Sequence, residues 1–190
     1  MQRVWITGYR AFELGVWSDK EPKFKVISYA LERLLKQALE EGLTWVITGG
    51  QMGIEQWAAQ TALKLKADYP ELKVAMMTPF TDFGSQWKDE NRTNLSLLTS
   101  QVDFTASVSD HGYSSPQQLR NYQEFMLSHT DGAILVYDVD NEGKSRYDYD
   151  ALMKWQEQHA DYAVTIVDFD QLQEFSYEFE ENSKRGFNSN

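Results

Sequence analysis

The sequence predicts an α/β fold, a Rossmann-like three-layer sandwich with a mostly parallel sheet and helices on both faces. Three observations predict it. Short apolar runs alternate with longer segments of helical period along the whole chain. The 190 residues are 42% hydrophobic and 14% aromatic, enough for one sizeable core. No repeat and no linker divides the chain. Residues 1–176 therefore read as one domain. Residues 177–190 read as an acidic, polar tail, solvated and poorly ordered.

The first strand is "RVWITG", bounded by Gly8. A helix is expected from Phe24 to Glu41, with Ile27, Leu31, Leu34, Leu35 and Ala38 on one face and Gly42 as its C′ residue. "TWVIT" is the second strand, and Ile54 to Ala67 the second helix, buried through Ile54, Trp57, Ala58 and Leu65. "LKVAMMTPF" follows as a strand stopped by Pro79, then a helix in "KDENRTNLSLLTSQ" and a weaker strand in "DFTASVS". The next helix carries three entry signals: Ser115 as N-cap, Pro116 at N1 and Gln118 at the capping-box position. "GAILVYD" is a buried strand, Tyr147 to His159 a helix, and "AVTIVD" the last strand.

Ligands of such sheets bind beyond the carboxyl ends of the strands, where the strand order reverses. The central strand-end turn is "TGGQMGIE". Gly49, Gly50 and Gly53 let the backbone turn sharply and approach a ligand. The following helix directs its dipole and free N–H groups at the turn, which suits phosphate. The spacing is neither G-x-G-x-x-G nor Walker A, and a tight turn that simply needs glycine fits it too. Gln51 lies within the same turn. Glu55 has two readings of equal standing: a first-turn acid favourable to the helix dipole, or a carboxylate aimed at ribose hydroxyls or serving as a general base.

In the first loop Thr7 and Gly8 close the strand, Arg10 can clamp phosphate, and Tyr9 and Phe12 can stack on a base or fill core. Glu13 reads as structural. In the third loop Pro79, Phe80 and Trp87 can wall off a base or pack as core. Arg120, Asn121, Asp138 and Lys144 are weaker candidates. His111 stands without metal-ligand spacing around it, and no metal is assigned. No G-x-S-x-G or Ser-His-Asp arrangement can be placed.

The chain has no cysteine, so disulfides, thiolate metal sites and cysteine nucleophiles are excluded. The formal net charge of −11 disfavours bulk nucleic-acid or anionic-membrane binding. No run is long enough to span a membrane, and "MQRVWITGYR" is not a signal peptide, so a cytoplasmic location is expected.

Taken together, "ITGYRAFELGVW", "ITGGQMGIEQWAAQ", "KVAMMTPF", "RNYQEFML", "HTDGAILVYD" and "EGKSRYD" resemble the YpsA-like (UPF0398) family of Firmicutes, of the SLOG superfamily. The superfamily also holds the DNA-processing protein DprA and LOG-type enzymes. The resemblance implies a Rossmann-like sheet, a site for a nucleotide-type ligand, and a G-x-E core on Gly53 and Glu55. It also implies a link to cell division in Gram-positive bacteria. The second LOG motif, P-G-G-x-G-T-x-x-E, has no match here, which weighs against phosphoribohydrolase activity.

Three functions follow. The favoured one is a sensor or adaptor that binds an ADP-ribose- or NAD-like ligand and signals to a protein partner without turnover; no cofactor is assigned beyond this nucleotide-type ligand. Thr7, Gly8, Tyr9, Arg10, Gly49, Gly50, Gln51, Gly53, Glu55, Pro79 and Phe80 would form its site. The second is an N-glycosidic or phosphoribosyl hydrolase with Glu55 catalytic. The third is a protein-interaction module, and a homo-oligomer is compatible with all three.

Overall fold

A computed structural model of the chain describes residues 1–187. The order is β1 (Arg3–Gly8), α1 (Pro22–Glu40), β2 (Trp45–Thr48), α2 (Ile54–Leu65), β3 (Lys73–Thr78), α3 (Asp89–Thr99), β4 (Phe104–Ser107), α4 (Gln117–Ser128), β5 (Gly132–Val136), α5 (Arg146–Gln156), β6 (Ala163–Val167) and α6 (Phe169–Phe187). The six strands form one parallel sheet in the order β4-β3-β2-β1-β5-β6. The chain winds outward from β1 to β4, then returns to place β5 on the other side of β1. The order therefore reverses between β1 and β5, and such a switch point is where open α/β sheets bind ligands.

Helix contacts join α6 to α1, α1 to α2 and α2 to α3, and separately α4 to α5. These are the two layers that right-handed crossovers of a doubly wound sheet produce. The central strands are the most buried, with Val4, Trp5, Ile6, Val46, Val74, Met76, Ala133 and Leu135 closed off from solvent. That is the near-continuous apolar pattern of parallel strands covered on both sides. No described helix is long and apolar enough to cross a membrane.

Most expected elements fall within a few residues of their observed ends. Gly42 closes α1 with φ +98, while its own N–H and that of Leu43 reach back to Leu39 and Ala38. This is a Schellman ending, as the glycine predicts. The entry to α4 differs from expectation. Pro116 takes the N-cap and the helix begins at Gln117. The Gln118 half of the capping box forms, its Oε1 accepting the N–H groups of Ser114 and Ser115 at 2.7 and 3.1 Å.

From 177 on, where the sequence reading places a tail, the chain is helical as far as Phe187, and 188–190 lie outside the described residues. Charge counting hides the reason. Leu172, Phe175 and Phe179 recur at helical spacing, and the first two pack on the core. The Phe179 ring lies 5.4 Å from that of Tyr29, and Glu178 accepts the Tyr29 hydroxyl at 2.8 Å.

Candidate functional site

The loops after β1 and β2 leave neighbouring strands and join. Ala11 N–H donates to Met52 O at 3.0 Å and Ile54 N–H to Tyr9 O at 3.1 Å, forming a bridge between Arg10 and Gly53. Gly53 has φ +118, and a Cβ there would stand 2.5 Å from both Tyr9 O and Ala11 N. Only glycine lets the two backbones meet this closely. The N–H groups of Ile54 and Gln56 are both spent inside the chain, Gln56 on Gln51 O at 3.2 Å. The helix start is thus less open to phosphate than the glycine spacing suggests. A Cβ on Gly50 would meet the Phe83 ring at 3.0 Å, so the third loop walls this turn.

Glu55 stands in the first turn of α2, on the carboxyl-end side of β1 and β2, and is 7% exposed. Its Oε2 accepts the Gln51 N–H at 2.8 Å and its Oε1 the Thr7 hydroxyl at 2.9 Å. A second acid, Asp148, comes from the first turn of α5. Its Oδ2 lies 3.0 Å from the same Thr7 oxygen, and its Oδ1 accepts the Gln123 side-chain N–H at 2.7 Å. Thr7 has one hydroxyl proton and can donate to only one of the two acids at a time. A proton on either carboxyl satisfies both contacts, because that acid then donates to Thr7 while Thr7 donates to the other.

The electrostatics agree with a shared proton. Burial pushes the Glu55 carboxyl up to about 7, and Asp148 adds to the shift. The Gln51 N–H, the Thr7 hydroxyl and the Arg10 charge oppose it. Burial likewise raises Asp148, against Gln123, Thr7 and Arg10. Arg10 thus acts on both acids from the rim. Tyr122, from α4, completes the cluster. It is 8% exposed, and its hydroxyl has no hydrogen-bond partner among the described residues. Burial first, then Glu55 and Asp148, raise its phenol well above the ordinary tyrosine value.

The sequence-predicted residues separate into two groups. Thr7, Arg10, Gly49, Gln51 and Glu55 come together at the acid pair, with Gly50 and Gly53 shaping the turns. Tyr9 does not face the pair: it is 3% exposed, its ring stacks on Phe169, and its hydroxyl serves Asp138 and Asn141 of the β5–α5 loop. Gly8 packs against Val136, and Pro79 is buried. Phe80 sits with Phe83 and Tyr113 in an aromatic cluster beside the Gly50 wall, and Trp87 backs Phe83. Glu13 holds the first loop to the β5–α5 loop by accepting the N–H groups of Arg10 and Lys144.

His111, Arg120 and Asn121 are exposed and bond to their own neighbours. Asp148, Tyr122 and Gln123 escape sequence reading. Asp148 is one acid among several in "SRYDYD", and Tyr122 and Gln123 follow the weighed pair Arg120–Asn121 directly. Their sequence signals are a place within the first two turns of helices that follow strand ends and membership of the segments "RNYQEFML" and "EGKSRYD".

With this geometry in hand, the chain can be set beside known proteins. Residues 4–172 match the family described as the YspA SLOG family, YpsA. The UPF0398 protein of Levilactobacillus brevis is 56% identical over 186 residues, covering 98% of each chain. That of Lactiplantibacillus plantarum is 52% identical over 188 residues, covering 99% of each. Among solved structures, a chain described as an S. aureus MnaA-UDP co-structure aligns at 11% identity and TM-score 0.33. That alignment covers 94% of this chain and 65% of that one, too remote a likeness to bear on the ligand.

Proposed function

The chain belongs to the YspA SLOG family, and from that premise we propose that it binds a nucleotide or nucleotide-derived ligand, of ADP-ribose or NAD type, at the carboxyl ends of β1 and β2. One observation carries the reading: Glu55 and Asp148 meet over a single Thr7 hydroxyl at the switch point, with Arg10 at the rim. Sugar hydroxyls face the acids, and phosphate lies outward towards Arg10. This arrangement relieves the charge conflict between phosphate and Glu55. Phe80 stands on the side where a base would lie. The proposed role in the cell is that of a ligand-responsive adaptor, with the link to cell division that the family resemblance implies.

A thermal-shift panel with ADP-ribose, NAD, AMP and guanosine tetraphosphate tests the binding. A specific ligand at 100 times its dissociation constant stabilises the fold by about 2.7 kcal/mol. Arg10→Ala and Glu55→Gln are expected to lose the shift and keep the fold. If no compound shifts the wild type, and the purified protein carries no nucleotide by mass spectrometry, the reading fails.

The second acid also supports a hydrolytic reading. Glu55, kept protonated towards about pH 7, can act as the acid and ionised Asp148 as its partner in cleaving an N-glycosidic bond. Release of free base from a bound ligand by the wild type selects this reading over simple binding.

A further inference from the structure

The Tyr122 hydroxyl makes no hydrogen bond that holds the fold together. The ring is packed in the core, but the hydroxyl donates to no protein group among the described residues. Among the described residues, Trp5 Nε1, Ser145 Oγ and Trp155 Nε1 are the buried side-chain polar atoms closed to both solvent and a partner; the Tyr122 hydroxyl is not one of them and keeps some contact with solvent. A hydroxyl with no protein partner that still reaches solvent is free to bond a ligand.

Gly49 shows what lies in front of that hydroxyl. A Cβ on Gly49 would stand 2.2 Å from Glu55 Oε2 and 2.5 Å from the Tyr122 hydroxyl. The two oxygens therefore both stand close to the Gly49 backbone, and no hydrogen bond joins them. Gly49 has no positive φ to explain its identity. It is glycine because any side chain would collide with these two groups.

We propose that Tyr122 is a specificity-determining residue, forming with the Glu55 carboxyl a seat for one ligand hydroxyl. The inference rests on the nucleotide-type reading of this site and extends it. The ligand hydroxyl accepts from the Tyr122 O–H and donates to Glu55. A phosphate oxygen can only accept and is repelled by the acids, and an ammonium can only donate and leaves the phenol unanswered. A sugar hydroxyl does both. Thr7 and Asp148 stand behind Glu55 and fix its orientation, while the Gln51 N–H holds its Oε2 on the Gly49 side.

The test is isothermal calorimetry of wild type, Tyr122→Phe and Gly49→Ala with AMP, 2′-deoxy-AMP, 3′-deoxy-AMP and ADP-ribose. Wild type is expected to bind AMP about tenfold or more tighter than one of the two deoxy compounds. Tyr122→Phe is expected to keep the wild-type melting temperature and to bring that ratio close to one. Gly49→Ala is expected to lose binding. A purely structural tyrosine would change stability and leave the ratio alone. Equal binding of AMP and both deoxy compounds by wild type overturns the hydroxyl seat and leaves the nucleotide reading standing. So does an unchanged ratio in Tyr122→Phe. If wild type binds none of the four, both fall together. Should Tyr122→Phe fail to fold, the wild-type ratio still decides.

Discussion

At the scale of single residues, Glu55 governs how stability depends on pH. Its carboxyl is raised in the fold to about 7 from 4.5. The folded state therefore holds a proton that the unfolded state gives up, and stability falls as pH rises between these values. At roughly 1.4 kcal/mol per unit the loss is on the order of 3 kcal/mol, largely complete above about pH 7. Asp148 is raised too and adds in the same direction. Asp103 and Asp131 are lowered by their basic partners and destabilise the fold only when protonated in more acid solution. Calorimetric melting is expected to show a temperature that declines from about pH 5 to about pH 7.5, and Glu55→Gln is expected to flatten most of that decline. A rising or level wild-type curve would show that the acid pair does not hold the proton. Gly53→Ala tests the backbone. Its φ of +118 and its 2.5 Å approaches to Tyr9 and Ala11 leave no room for a methyl. A loss of about 3 kcal/mol or more in urea unfolding is expected.

At the scale of elements, α6 is the piece that composition hides and packing reveals. Its acids face solvent or pair with α1, as Glu178 does with Tyr29 and Arg33. Its apolar stripe of Leu172, Phe175 and Phe179 meets α1. Ending the chain at Asp168 uncovers that face and is expected to cost on the order of 4 kcal/mol in chemical denaturation. Arg33→Ala removes only a half-exposed pair and is expected to cost no more than about 1 kcal/mol. Equal effects of the two changes would mean that charge, not apolar contact, docks α6. The other elements were easier to read. Ile27, Leu31 and Leu35 repeat with helical period and are buried as that period requires. Gly42 stops α1 because it alone tolerates the left-handed turn.

At the scale of the whole molecule, the six strands share one sheet, and the site draws on both of its halves. Thr7 and Glu55 come from the β1–β2 side, while Asp148, Tyr122 and Gln123 arrive with the return of the chain to β5. The site therefore exists only when the sheet is complete. Urea unfolding followed by tryptophan fluorescence and by far-ultraviolet circular dichroism is expected to give one coincident transition. Two separated transitions would mean that the β5–β6 half folds apart from the rest. The sequence by itself determined the alternation of strands and helices and the glycine turns, and it named Thr7, Arg10 and Glu55 as candidates. Those features are local: period, turn chemistry and short spacing are written in consecutive residues. Only the tertiary structure decided that Glu55 shares the Thr7 hydroxyl with Asp148, 93 positions further along the chain, and that Tyr122 stands opposite Gly49. It also turned Tyr9 inward and made helix of the chain up to Phe187. Such pairings depend on strand order and on how helices pack across the sheet, and no local pattern in the sequence encodes either.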